Sequence, residues 1–239
     1  MRATVGEKMS SGTREDWHPK ELPADSEVAR QLREWLTGEE GYCLFGIEQD
    51  FRGADLSGGD FTSSWFTRAN LTDVRLVEAV LYRADLQSAD LTSVDLTGAD
   101  LVRANLNEAV LRSARLDGAD MVKASLHGVD ASGASFRGTR IMGASLFHVD
   151  LSGADLTDVT LVHNSSRVTV DDATVVRGLS GTVFGPITVR NGEDVQELAG
   201  RELQTRINER GGGIEVIAPP DRAGPAPGPC CPAVLRDGA

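Results

Sequence analysis

Four histidines (His18, His127, His148 and His163), three cysteines (Cys43, Cys230 and Cys231) and a long file of aspartates are the residues of this chain whose types can do chemistry. Imidazoles and thiolates ligate metals when several converge, and paired carboxylates can share general acid and base duties. The spacing removes most of that chemistry. His127 and His148 stand twenty-one residues apart, but no cysteine or carboxylate pair completes a metal set. Cys230 and Cys231 are adjacent in a Pro-rich stretch, which suits neither a disulfide framework nor a zinc site, so free thiols are expected. Repeated SGAD and TGAD strings lack the Lys of a phosphate loop and the flanking glycines of a nucleophile elbow. The aspartates recur every five residues, so their proximity follows from a repeat rather than from acid/base work. The expectation is a protein that is not an enzyme, with no catalytic residue, cofactor or metal.

The elements that carry these residues are set by that period. Stepping by five from Phe51 to Leu161 meets twenty-three positions, all large and apolar except Ala131, with no insertion or deletion between Gln49 and His163. Two residues before each centre the side chain is Ala or Val at nineteen of the twenty-three. A period of five matches neither the 3.6 of a helix nor a sustained strand alternation, so each unit must be a short extended piece followed by a bend. Positions two apart in an extended piece share a face, so the small residue and the central Leu point inward together. The residue between them points out and is often Asp or Asn, as at Asp55, Asp60, Asn70, Asp85, Asp90, Asp95 and Asp100.

The run RADLQSADLTSVDLTGADLVRANL resembles the pentapeptide-repeat family, over about half of the chain. That resemblance implies an all-β fold, a right-handed quadrilateral β-helix of four units per coil with Leu and Ala columns stacked inside. Flanking α-helices are expected to cap it, because a solenoid exposes its core at both ends. Six segments result: a flexible N-terminus over 1–25, a helical cap over 26–48 and the β-helix over 49–165. An irregular β cap follows over 166–190, then a C-terminal helix and strand over 191–218 and a disordered Pro-rich tail over 219–239. The first helix spans Glu27 to Thr37, with Ser26 as cap, and the last spans Glu193 to Glu209 with Val195, Leu198, Leu203 and Ile207 along one side.

Function must then be written on the lateral faces. Aromatics make up only 5% of the 239 residues and the formal charge is −12, which disfavours direct contact with nucleic acid or an anionic membrane. The N-terminus lacks the apolar region of a signal peptide and no run of eighteen apolar residues occurs, so a cytoplasmic protein is expected. On the twenty-residue period one face carries Asp50, Asp90, Asp130 and Asp150 with Asn70 and Val110 in the same column. Another carries Tyr82, Val102, Val122, Met142 and Val162, with Arg83, Arg103 and Lys123 beside them. The acidic column is either solvated repeat surface or, as the resemblance to gyrase-protecting family members implies, an imitation of duplex DNA offered to DNA gyrase, with fluoroquinolone resistance as the outcome. The apolar stripe is either covered by the C-terminal part of the chain or is a partner surface. Such relatives pair through their C-terminal ends, so the resemblance also implies a homodimer through the last helix. Trp65 and Phe147, projecting on a third face, are further anchor candidates. A protein-binding scaffold is the reading all of this shares.

Overall fold

A computed structural model describes residues 17–38 and 43–217. The chain winds into a β-helix in which each coil pairs in parallel with the next at a separation of twenty residues. Asp50 bridges Asn70, Asp55 bridges Arg75, Asp60 bridges Val80 and Trp65 bridges Asp85, so four bridge columns run along the stack. The central residues and the small residues two before them form its interior, from Phe51, Leu56 and Ala54 to Leu156 and Val159.

Five-residue units with Asp or Asn before the centre can close a complete hydrogen-bond account. In the unit centred on Leu91, the Ala89 amide turns back to the Leu86 carbonyl, the Asp90 amide reaches Ala69 of the preceding coil, and the Leu91 and Ser93 amides reach Val110 and Arg112 of the following one. That leaves the amide of Thr92, which finds the Asp90 carboxylate at 3.0 Å. The corner residue Ser93 takes a positive φ of 57°, and non-glycine residues adopt this strained conformation at successive corners, among them Arg83, Arg103 and Glu108.

Exceptions to the small-residue rule are satisfied individually. Thr139 donates its hydroxyl to the Leu116 carbonyl at 2.7 Å, and Asn164 donates to the Ile141 carbonyl while accepting from the Ala144 amide. Gly59 has no alternative, because a Cβ there would lie 2.6 Å from the rings of Phe61 and Trp17.

The N-terminal end is closed by α1, Ser26–Thr37, whose cap is Asp25 rather than the expected Ser26: its carboxylate accepts from the amides of Glu27 and Val28. Val28 and Leu32 are buried, and Trp35 stacks on Phe61 at 5.7 Å. The expectation of a flexible segment through residue 25 is corrected at residues 17–24. Lys20 and Ala24 donate backbone hydrogen bonds to the first coil, and Trp17 packs edge-on against Phe61 while its Nε1 donates to the Ser57 carbonyl.

At the other end the paired pieces lengthen into strands, two of which run through positive-φ corners at His148 and His163. These are β1 Arg140–Met142, β2 Ser145–Asp150, β3 Thr160–Val170, β4 Ser180–Phe184 and β5 Ile187–Asn191, all joined by parallel pairing. The register slips at Val149↔Val168, beyond the last regular unit. The helix expected over Glu193 to Glu209 is corrected: Asp194–Leu198 forms strand β6, antiparallel to β5, and only Gly200–Glu209 is the helix, α2. Gly200 at φ 54° sits at the junction and separates the two. Strand β7, Gly213–Ile217, returns beside β4. The expected segments over 1–16 and 219–239, with Cys230 and Cys231, lie outside the described residues.

Leu106 is fully buried at the middle of the stack. Leu106→Ala is expected to lower unfolding free energy by about 2–5 kcal/mol, and Leu106→Asp, which buries an unpaired charge, to abolish soluble folded protein. Normal expression with unchanged melting of the Asp variant would contradict the inward assignment.

Candidate protein-interaction surface

The lateral surface is built from residues that the interior does not use, and the structure sorts them into columns. Asp50, Asn70, Asp90, Val110, Asp130 and Asp150 stand in one column, each bridged to the next. The bridge positions also explain why Asp and Asn occur there. All thirteen Asp or Asn residues at this position from Asp50 to Asp155 accept a hydrogen bond from the amide two residues on. Where the position holds another residue, a side chain of the preceding coil can substitute: Asn107 accepts from the His127 amide and Asp117 from that of Arg137. The acidic column is therefore part of the backbone's own hydrogen-bonding as well as a surface.

Its charge is partly compensated. Arg52 pairs with Asp50 and Arg112 with Asp130, both at 2.6 Å. The Arg52 guanidinium holds the Asp50 carboxyl below its ordinary range. At Asp130 burial pushes upward, but hydrogen bonds from the Ser132 hydroxyl and amide and from Arg112 outweigh it and hold the carboxyl low. Asp55 and Asp155 follow the same pattern with Ser57 and Thr157.

Tyr82, Val102, Val122, Met142 and Val162 are half-buried along a second column, with Arg83, Arg103 and Lys123 exposed at the adjoining corner. Helix α2 does not take the expected place of a free apolar face: Leu203 and Ile207 are buried against the last coils, and Leu198 is buried from β6. Val195, expected beside them, is exposed on the strand. Arg210 fixes the helix by donating to the carbonyls of Asp172 and Thr174 at 2.8 and 2.6 Å.

Trp65 and Phe147 project between the same pair of corners, exposed at 47% and 41%. The sequence reading missed Phe45, which is 62% exposed and 6.0 Å from the Trp65 ring. The signal was concealed by Gly46, which occupies a central position where Leu is expected. The repeat register in fact reaches back to Leu44, since Phe45 bridges Trp65 and Glu48 turns the corner at φ 58°. Gly46 is needed because a Cβ would lie 2.8 Å from the Phe51 ring.

Among the described residues no group of three or more His, Cys, Asp or Glu could hold a metal, although His127 and His148 lie 5.6 Å apart. No helix among them is long and apolar enough to cross a membrane.

The family profile described as Pentapeptide repeats, in eight copies, matches residues 64–101, 89–128 and 124–161. Residues 64–161 of the solenoid are pentapeptide repeats. Proteins of this family generally serve as structural or binding scaffolds. Among solved structures the chain is similar to a pentapeptide repeat protein from the thylakoid lumen of Arabidopsis thaliana, 38% identical over 40% of this chain, with a TM-score of 0.38. The chain spans 65% of that protein's length. It is also similar to HetL, a pentapeptide repeat protein involved in heterocyst differentiation regulation in a Nostoc cyanobacterium, at 23% identity, 62% of this chain, 86% of HetL and a TM-score of 0.24. QnrB1, a plasmid-mediated fluoroquinolone resistance protein, gives 17% identity over 72% of this chain and 80% of its own, with a TM-score of 0.27. No curated protein matches the chain.

Two outcomes test the pentapeptide hydrogen-bond account. Asp90→Ala is expected to cost about 1 kcal/mol by freeing the Thr92 amide, whereas Asp90→Asn, which keeps the acceptor, is near neutral; equal melting of the two variants would contradict it. The carboxyls of Asp50, Asp55, Asp130, Asp155 and Asp171 are all held low in the fold. Their contribution is complete above the unfolded value of about 3.9 and is lost as pH falls through the lower folded values. Thermal melting is expected to decline progressively as the buffer is acidified below about pH 4, and Asp155→Asn should lessen that decline.

Proposed function

We propose that this chain is a cytoplasmic, non-catalytic scaffold that binds another protein through the sides of a right-handed, quadrilateral β-helix. Four bridge columns per twenty residues support the quadrilateral section, and the usual hand of parallel crossovers supports the right-handed sense. The proposed division is an N-terminal cap that includes residues 17–38, the β-helix from 44 to 165, an irregular β cap over 166–190 and a closing segment from 191 to 217.

The observation that carries the reading is the exposure of Phe45, Trp65 and Phe147 between one pair of corners of an otherwise filled rod. Large aromatics left in water on a rigid support are suited to seat in a partner's pockets. A gyrase-directed, DNA-mimicking version draws on the acidic column and on the seventeen Asp and Glu against ten Lys and Arg of residues 48–163. Asp90 and Asp150 form none of the ion pairs found among the described residues and supply its free charge. A homodimer through the C-terminal segment would draw on exposed Val195 rather than on the buried Leu198, Leu203 and Ile207.

A photo-crosslinking residue placed in turn at positions 65, 90, 95 and 102, on different columns, tests the scaffold directly. Adducts with one protein species, concentrated at position 65 and lost in Phe45→Ser/Phe147→Ser, are expected. Absence of adducts at all four positions would overturn it. For the gyrase version, supercoiling with a fluoroquinolone is expected to be restored by the native chain and not by Asp50/Asp90/Asp130/Asp150→Asn, a set that keeps each backbone acceptor. No effect of the native chain removes that version alone.

A further inference from the structure

Ion pairing on the solenoid leaves out one set of cations. Of the ten Lys and Arg in residues 48–163, seven lie in ion pairs: Arg52, Arg68, Arg75, Arg112, Arg115, Arg137 and Arg140. The remaining three are Arg83, Arg103 and Lys123, and they are neighbours. They occupy the same corner of three consecutive coils, at φ 59°, 62° and 60°, all exposed. Successive coils are about 4.8 Å apart, so the three positive groups repel one another. In a chain of net charge −12 carboxylates are plentiful, and another corner shows the local remedy, with Arg68 paired to Glu48 one coil away. Here, among the described residues, none of the three basic side chains lies in an ion pair, because the carboxylates of the adjoining columns, Asp85, Asp100 and Asp120, turn to the amides of Gln87, Val102 and Val122.

The row also has an apolar companion. Tyr82, Val102, Val122 and Met142 precede the corner on each coil and form a half-buried column along it. The Arg83 guanidinium lies 5.6 Å from the Tyr82 ring centroid. At the far end the corner is Gly143, where an added Cβ would meet the Lys123 stem at 3.7 Å, so the row finishes on an open step. An anion seated on the corner would have aliphatic and aromatic surface immediately beside it.

We propose that Arg83, Arg103 and Lys123, with the Tyr82 to Met142 column, form a docking track for a short, extended acidic segment of a partner protein, with aliphatic residues between its carboxylates. The proposal rests on the protein-binding reading above and names the partner's chemistry at this second surface. The column from Tyr82 to Met142 covers three coil steps, about 14 Å, the length of roughly four extended residues. Carboxylates match the unpaired row, and aliphatic side chains match the column. A nucleic acid or sulfated polymer would satisfy the charges but gain nothing from Val102 and Val122, so the observations favour a peptide.

The probe is a fluorescein-labelled octapeptide of alternating Glu and Val, read by anisotropy at physiological salt against the full chain. Saturable binding is expected, weakened about tenfold or more by R83E/R103E/K123E and several-fold by V102N/V122N, with R68Q/R137Q close to native. Glutamate already occupies equivalent corners at Glu48, Glu78 and Glu108, so the reversed variant should fold, which an unchanged melting curve verifies. Equal binding by the reversed variant, equal binding of a Lys-for-Glu peptide, or no loss in V102N/V122N together with full competition by heparin would each overturn the track. If the native chain does not bind the octapeptide while crosslinks still form at position 65, the track falls and the scaffold reading stands. If crosslinks also fail at every column, both fall.

Discussion

The structure depends on the backbone amides of the five-residue unit, four of which find carbonyl partners in the coil stack. Three amides reach neighbouring coils and one closes the turn, so a single amide, that of the residue after the central Leu, has no backbone acceptor left. An unpartnered amide in a packed stack is costly, and it would recur with every unit. The Asp or Asn before the Leu answers that demand locally, as Asp90 does for Thr92. Every other regularity follows from the same unit. The Ala and Leu must point inward because the Asp points out, and the corner must turn through positive φ because the next amide is committed to the following coil.

That economy shapes what the surface can offer. Because coils repeat at twenty residues, a side chain placed once on a column is stacked against its counterparts, and charge or apolarity becomes a line rather than a point. Columns such as Asp55, Arg75, Asp95 and Arg115 neutralise themselves by alternation. The lines that remain unneutralised or unburied are the aromatic group at Phe45 and Trp65, the basic corner from Arg83 to Lys123, and Asp90 and Asp150 of the acidic column. The ends are closed by different means, a Trp17–Trp35–Phe61 cluster at one and the β6–α2–β7 segment at the other.

The β-helix was legible in the sequence because its determinant is strictly local and repeated: Leu every five residues, a small residue two before it and no insertion. The columns were legible for the same reason, and the structure does bring Asp50 to Asp150 and Tyr82 to Val162 into line. What was illegible required knowledge of three-dimensional neighbours. Gly46 hid the first unit because the space of its Leu is taken by the rings of Phe51 in the next unit and Phe66 in the next coil. The stretch Asp194–Leu198 carries helical spacing, but pairing with Ile187–Asn191 overrides it. Nor could the sequence show that seven arginines find carboxylates, six of them across coils, and three basic residues do not.

The central claim is the unbroken twenty-residue register, since every column depends on it, and a cysteine-pair experiment measures it most directly. In a background with Cys43, Cys230 and Cys231 replaced by Ser, Ser93→Cys/Ser113→Cys places thiols on successive coils of one corner, within the Cα separation of roughly 4.4–6.8 Å that a disulfide spans. Ser93→Cys/Gly118→Cys places them on different corners. The account predicts rapid, near-complete oxidation of the first pair and none of the second under the same mild oxidant. Equal reactivity, or preference for the second pair, would contradict it.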